Sequence, residues 1–180
     1  MNGIVRLKHI KDYQKVSYYS VVLDQDDEPT ESAQSLFEKF IEQQTDANPE
    51  KLNHILMWLK VIGEKHGAQE YLFRHEQHQG EAVGVPPEGI NREPVFTEND
   101  EPVPNNLRLY CHRLNPNVVI LFGGGLKTAN KAQDCPNVKS HFILANQLTK
   151  IIDKAFQENE IQWIDNDQDI DCDDNLILYY

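Results

Sequence analysis

Residues 106–128, NLRLYCHRLNPNVVILFGGGLKT, constrain the fold of this chain more than any other segment. The first half alternates between apolar and polar residues with the period of two that is typical of a β-strand. One face of this predicted strand is apolar, and the other carries Arg108, Tyr110 and His112. An Asn-Pro-Asn turn then leads into VVILF at 118–122, which predicts a central strand covered on both faces. Such a hairpin could hold a phosphate-containing polymer, or it could belong to an ordinary half-exposed sheet.

The charge of the chain is unevenly distributed. The 180 residues carry a formal net charge of −12 at pH 7. Residues 155–180 hold eight acidic residues and no lysine or arginine, whereas residues 104–154 hold seven basic residues against two acidic ones. An acidic total argues against nonspecific nucleic-acid binding but permits a local basic cleft. One hypothesis is that the acidic tail folds back and screens Arg108 and Lys127.

Several classes of protein are excluded by length and composition. A chain of 180 residues forms one domain with a sizeable core. No apolar run approaches the roughly 18–20 residues of a membrane span. The first residues lack the apolar stretch of a secretory signal. The three cysteines are widely spaced and form no CxxC pair, which supports neither a disulfide framework nor a structural zinc site. We therefore expect a cytoplasmic protein that does not associate with membranes.

The helical patterns come early in the chain. Between residues 31 and 44, apolar residues recur with the spacing of one helical stripe. Asn48 and Pro49 provide an N-cap and a first-turn proline for a second amphipathic helix, which Gly67 is expected to end. The short connection between the two predicts an αα-hairpin. Residues 138–157 predict a third helix.

The remaining segments complete a domain of the α+β class. Residues 16–23 and 70–76 predict strands, and residues 77–104 are polar and proline-rich and predict a long loop. The antiparallel strands are consecutive, which indicates α+β rather than α/β. We expect a single domain over residues 1–157. The acidic tail at 158–180 is expected to form a small hairpin or to be partly disordered.

The order of three motifs resembles the RelE/HigB-like toxins of bacterial toxin–antitoxin pairs. The motifs are EYLFR at 70–74, LRLYCHR at 107–113 and VVILFGGGLKTAN at 118–130, followed by a helix. The resemblance covers roughly residues 16–157. It implies a small twisted antiparallel sheet packed on an N-terminal αα-hairpin, with a further helix after the sheet. It also implies ribosome-dependent mRNA cleavage without a metal, and a partner antitoxin of the helix-turn-helix type. The alternative is a non-catalytic interaction protein that retains the fold.

The same resemblance indicates which residues would be catalytic. Arg74, Arg108 and Lys127 match cations of the family, and such cations would stabilise the charge of a phosphorane. Tyr110 and His112 have suitable chemistry for proton transfer and lie on the same predicted strand. The competing interpretation is that the arginines pair with acidic residues on the surface. No cofactor is expected.

Three weaker motifs favour structural interpretations. The glycine run at 123–125 does not match a phosphate-binding loop, so it predicts a bulge or a close backbone approach. His75 and His78 lack a third ligand of matching spacing. The alternating aspartates at 165–171 lack the glycine and glutamate of a calcium loop. No metal site is therefore predicted.

Overall fold

A computed structural model describes residues 3–24, 32–76, 82–89 and 96–180. The helices are α1 (Leu36–Ala47), α2 (Pro49–Val61) and α3 (Lys139–Gln157). The strands are β1 (Ile4–Asp12), β2 (Ser17–Asp24), β3 (Arg74–His75), β4 (Val83–Val85), β5 (Phe96–Glu98), β6 (Glu101–Val103), β7 (Leu107–Asn115), β8 (Val118–Leu126), β9 (Ile161–Ile164), β10 (Asp169–Cys172) and β11 (Leu178–Tyr179). A π-helical turn (Ile62–His66) continues α2. No helix in the described ranges is both long enough and apolar enough to cross a membrane.

Seven strands form one mixed sheet, in the order β11-β1-β2-β8-β7-β4-β3. Its neighbours are antiparallel except for β2 and β8, which run parallel with Ser17 opposite Val118. A parallel pair requires a crossover connection, and the chain between these two strands supplies it by way of α1 and α2. The pairs β5–β6 and β9–β10 form separate two-stranded sheets.

The predicted architecture was wrong. The described chain begins with the sheet and not with an αα-hairpin, and the sheet is large and mixed where a small antiparallel one was expected. The prediction failed mainly because β1 was not recognised, since its basic residues interrupt the apolar pattern of a strand. Val5 and Leu7 pack into the core, while Arg6 pairs with Asp24 and Lys8 with Glu38. These ion pairs allow a charged strand to lie inside a sheet.

The sheet separates two hydrophobic layers. On one face, Ile120 of β8 packs with Phe142 of α3. On the other face, Leu121 packs with Ile55 and Leu59 of α2. The alternation of side chains along β8 places consecutive residues in different layers. Helices therefore cover both faces of the sheet, and the faces of β7 and β8 are buried.

Local signals explain where the helices begin and end. Ser35 caps α1, because its hydroxyl accepts from the Glu38 N–H at 3.2 Å while the Glu38 carboxylate accepts from the Ser35 N–H at 2.7 Å. Pro49 opens α2, as its sequence predicts. Gly67 ends the helical segment with φ of 73°, a left-handed conformation that glycine adopts without strain. The proline start of α2 and the glycine end were predicted, whereas α1 begins at Leu36 and not at residue 31, where the predicted helix began.

The predicted long loop and the acidic tail both contribute strands. Within residues 77–104, β4 pairs with β7, and β5 with β6; positions 77–81 and 90–95 lie outside the described residues. In the tail, β9 and β10 form the expected hairpin, and β11 pairs with β1. Ile161, Ile170 and Leu178 are buried with the core. The tail is therefore packed against the domain.

Candidate functional site

Three of the five predicted site residues lie on β7, and they share one face as the alternation predicts. Helix α3 covers this face at Tyr110, which packs on Phe142, and at His112, which pairs with Asp153. Arg108, Tyr110 and His112 have only 6%, 0% and 8% of their surface exposed. The row of guanidinium, phenol and imidazole therefore exists, but it lies inside the molecule and not along an open cleft.

A single carboxylate joins two of the predicted cations. Glu76 follows β3, and its Oε2 forms an ion pair with Lys127 Nζ while its Oε1 lies 3.4 Å from Arg108 Nε. We call these three residues the Glu76 cluster. Their side chains are 4%, 8% and 15% exposed for Glu76, Arg108 and Lys127. In such a buried setting, removal of one partner leaves an uncompensated charge, which is costly.

Backbone carbonyl groups hold the Arg108 guanidinium, and a backbone hydrogen bond anchors Lys127. Arg108 Nη1 donates to the carbonyl oxygens of Asn105 at 2.6 Å and of Leu107 at 3.2 Å. The Lys127 N–H donates to the Asn106 carbonyl at 2.8 Å, which ties the end of β8 to the start of β7. The Arg108 bonds hold its guanidinium directly, whereas the Lys127 bond fixes only the backbone from which its side chain reaches Glu76.

The glycine run permits this close approach of β7 and β8. A Cβ atom at Gly124 would lie 1.8 Å from the Arg108 carbonyl oxygen. A Cβ atom at Gly125 would lie 2.8 Å from the Asn137 carbonyl oxygen. The prediction of a close backbone approach is therefore confirmed. The run belongs to β8, which extends to Leu126.

Of the three predicted residues outside the Glu76 cluster, Arg74 and His112 make structural contacts. Arg74 Nε donates to the Pro86 carbonyl at 2.7 Å, which ties β3 to the segment after β4. His112 Nε2 lies 2.7 Å from Asp153 Oδ1, which joins β7 to α3. Asp153 is half-exposed, so this pair closes the edge of the interface between sheet and helix.

Tyr110 is poorly suited to act as a base. Burial raises the pKa of its hydroxyl, and the nearby Glu76 carboxylate raises this pKa further, against a smaller opposing effect of Arg108. Among the described residues, the Tyr110 hydroxyl has no hydrogen-bond partner. Its ring packs on Phe142 with centroids 5.3 Å apart. The chief contribution of Tyr110 is therefore to the core.

Sequence reasoning did not identify Cys135, which anchors the loop between β8 and α3. The Thr128 N–H donates to Cys135 Sγ at 3.2 Å. Burial alone would raise the pKa of this thiol, but the Thr128 hydroxyl and the N–H groups of Thr128, Asn137 and Ala129 lower the pKa to about 7. The side chain is fully buried, so the sulfur is an internal acceptor and not an exposed nucleophile.

One sequence signal could have revealed Glu76. It lies two residues after Arg74, and residues two apart share a face in an extended segment. For Cys135 and Asp153 there is no such local signal, because their partners are distant in sequence.

The acidic tail lies away from the Glu76 cluster. The Asp167 carbonyl accepts from the Asn115 side chain at 2.7 Å, and Asp169 accepts from the Tyr19 hydroxyl at 2.6 Å. These contacts place the β9–β10 hairpin at the turn between β7 and β8, whereas the Glu76 cluster lies at the opposite ends of those strands. The structure thus places the tail elsewhere than over Arg108 and Lys127.

No family model, curated protein or solved structure matches this chain. Its function must therefore be argued from its own geometry. Within the ranges that the structure describes, no group of three or more His, Cys, Asp or Glu side chains could hold a metal ion.

Proposed function

We propose that this protein is a non-catalytic interaction protein that binds another polypeptide in the cytoplasm. The observation that carries this proposal is the Glu76 cluster. A nucleic-acid backbone is bound by cations that phosphate can reach. Arg108 and Lys127 are instead held by a buried carboxylate, so a phosphate would have to displace Glu76 before it could contact either of them.

The overall charge supports the same conclusion. A net charge of −12 repels a polyanion at long range and gives no electrostatic steering toward RNA. The surface does offer an apolar groove between α1, α2 and β1, which is a feature of sites that hold side chains of a partner protein.

Incubation with RNA and ribosomes tests this proposal. We expect no cleavage of mRNA, and we expect bacteria that express the wild-type protein to grow like bacteria that express Lys127→Gln. Lys127 is the most exposed member of the Glu76 cluster, so its substitution is the least disruptive to folding. Ribosome-dependent cleavage that Lys127→Gln abolishes, in a protein with unchanged circular dichroism, would overturn the proposal.

A second candidate function is metal-independent RNA cleavage by a toxin that a partner antitoxin neutralises. The observation that favours it is the convergence of Glu76, Arg108 and Lys127 on one point. In this reaction the carboxylate would accept the proton of a 2′-OH, and the 2′-oxygen would attack phosphorus. The two cations would stabilise the phosphorane, and the 5′-oxygen would leave with a proton from water.

The products distinguish the two functions. The second function requires a 2′,3′-cyclic phosphate at the cleaved end, growth arrest on expression, and relief of that arrest by Lys127→Gln or by a co-expressed antitoxin. If neither the cyclic phosphate nor the growth arrest is observed, the RNA-cleavage function is contradicted and the interaction function remains.

A further inference from the structure

A shallow groove lies between α1, α2 and the strands β1 and β2. Its volume is about 240 Å³. Its base is formed by the buried side chains of Tyr18 and Leu121, and half-buried Ile10, Ile41 and Leu56 stand at its sides. A single charged residue, Lys11, lines it together with these apolar side chains. The groove is thus an apolar surface that remains open to solvent.

The size of the groove indicates what it can hold. Sites for cofactors and drug-sized ligands have volumes of roughly 300–1,000 Å³ and enclose most of the ligand. The groove is smaller and open, so it suits one or two aliphatic side chains of a larger partner. Apolar anchor side chains that enter such pockets provide much of the affinity of protein–protein interfaces.

Lysines surround one end of the groove. Lys11 Nζ lies 4.9 Å from the centroid of the Tyr13 ring, and Lys60 and Lys65 line an adjoining hollow with the same tyrosine. The acidic residues of this hollow are Asp12 and Glu64. Asp12 is already engaged, because its carboxylate lies 2.8 Å from His9 Nε2.

This positive charge is distinctive in a protein whose net charge is −12. Complementary charge around an apolar contact steers the encounter and excludes partners of the wrong sign. The hollow holds three lysines against Glu64 and the paired Asp12, so an acidic segment meets a net positive charge there, whereas a basic segment is repelled by it.

We infer that this groove docks an acidic polypeptide segment, whose apolar side chains enter between Ile41 and Leu56 and whose carboxylates meet Lys11, Lys60 and Lys65. The inference rests on the proposed interaction function and names the chemistry of the partner. Most of the attraction comes from the apolar anchors, while the lysines set specificity and the rate of association.

Three labelled peptides test the inference by fluorescence anisotropy with the full-length protein. The first is an amphipathic helix of leucine and glutamate, the second replaces its leucines with serine, and the third replaces its glutamates with lysine. We expect only the first to bind, with an affinity that falls as salt is added. Equal binding of the lysine and glutamate peptides would overturn the inference.

Two protein variants locate the binding. Leu56→Glu places a charge on the wall of the groove at a half-buried position, and the triple variant Lys11→Gln, Lys60→Gln, Lys65→Gln removes the positive charge. Each should weaken binding roughly tenfold or more, which corresponds to about 1.4 kcal/mol. The matched control removes three exposed lysines of α3 on the opposite face of the sheet, and we expect it to bind like the wild type: Lys139→Gln, Lys150→Gln, Lys154→Gln.

The outcomes separate this inference from the proposed function. If Leu56→Glu and the groove triple variant bind like the wild type, the groove inference fails, and the interaction function is unaffected. If the wild type cleaves RNA through Glu76, the proposed function fails, and the peptide titrations still report on the groove. A dimer that Leu56→Glu dissociates, seen by analytical ultracentrifugation, would show that a second copy occupies the groove and would overturn the inference.

Discussion

The Glu76 carboxylate pairs with two cations in a nearly buried environment. Replacing one carboxylate oxygen by an amide nitrogen should therefore lower stability markedly. Glu76→Gln keeps the shape of the side chain but removes the charge that faces Arg108 and Lys127. We expect the free energy of unfolding to fall by about 3–5 kcal/mol, as for other broken buried pairs. Denaturation by guanidinium chloride measures this free energy for the wild type and the variant.

The control for this measurement is Glu158→Gln. Glu158 pairs with Lys154 at 3.6 Å on the surface, with 52% of its side chain exposed. Exposed pairs contribute about 0–1 kcal/mol, so the control should change stability little. Similar small losses in both variants would show that the Glu76 cluster is not a buried ion-pair system.

Cys135 gives a prediction about pH. Hydrogen bonds to its sulfur lower the thiol pKa to about 7 from the ordinary value of 9.0. A lowered pKa in the folded state means that this contribution to stability is complete above pH 9 and is lost as pH falls through 7. Thiolate absorbance should therefore rise near pH 7 in the wild type and not in Cys135→Ser.

The other cysteines serve as an internal reference. Burial raises the pKa of Cys111, and burial with neighbouring aspartates raises the pKa of Cys172. Neither should ionise near pH 7. A Cys135→Ser variant with the same absorbance rise as the wild type would contradict the assignment.

Residues of the candidate site were predictable from sequence only in part. The alternation of β7 placed Arg108 and Tyr110 on one face, and the structure agrees. Their surroundings were not predictable, because Glu76 meets Lys127 across 51 positions of sequence and no local pattern encodes that contact. Burial of the row by α3 is likewise a tertiary property.

At the scale of elements, the contact of β7 with β8 depends on one absent side chain. Gly124→Ala would place a methyl group against the Arg108 carbonyl oxygen, where 1.8 Å is available. The strands must separate to make room for it. We expect the free energy of unfolding to fall by about 1–3 kcal/mol or more, the usual cost of overpacking. Thermal denaturation checks this. Gly84→Ala is the control, because a Cβ atom at Gly84 would lie 3.8 Å from its nearest neighbour, an ordinary contact distance. An equal loss of stability in both variants would refute the argument.

Elements whose signals are local were the predictable ones. Helical stripes indicated α1 and α3, a stripe with Pro49 indicated α2, and alternation indicated β7. Strand β1 was not recognised, since basic residues interrupt its apolar pattern and are compensated only by partners on β2 and α1. The parallel pairing of β2 with β8 was equally hidden, because strand order depends on contacts between distant segments.

At the scale of the whole molecule, the tail closes one edge of the structure. Strand β11 covers the outer edge of β1, with Leu178 opposite Val5. Ile161 and Ile170 belong to the layer between the sheet and α3. The acidity of this segment concealed its packing, because most of its aspartates face solvent while Ile161, Ile170 and Leu178 face the core.

Truncation of the tail tests this description. A chain that ends at Cys172 lacks β11, and burial of Leu178 alone implies a loss of roughly 1.5–3 kcal/mol. A chain that ends at Gln157 also lacks Ile161 and Ile170, so we expect a larger loss and a less cooperative unfolding transition in urea.

A charge control separates packing from acidity as the source of this effect. Asp171→Asn with Asp174→Asn removes two exposed charges and leaves the apolar contacts intact. Surface substitutions of this kind usually change stability by no more than about 0.5 kcal/mol. If the tail contributed only solubility, both truncated chains would unfold at the urea concentration of the wild type, and the graded loss expected from packing would be absent.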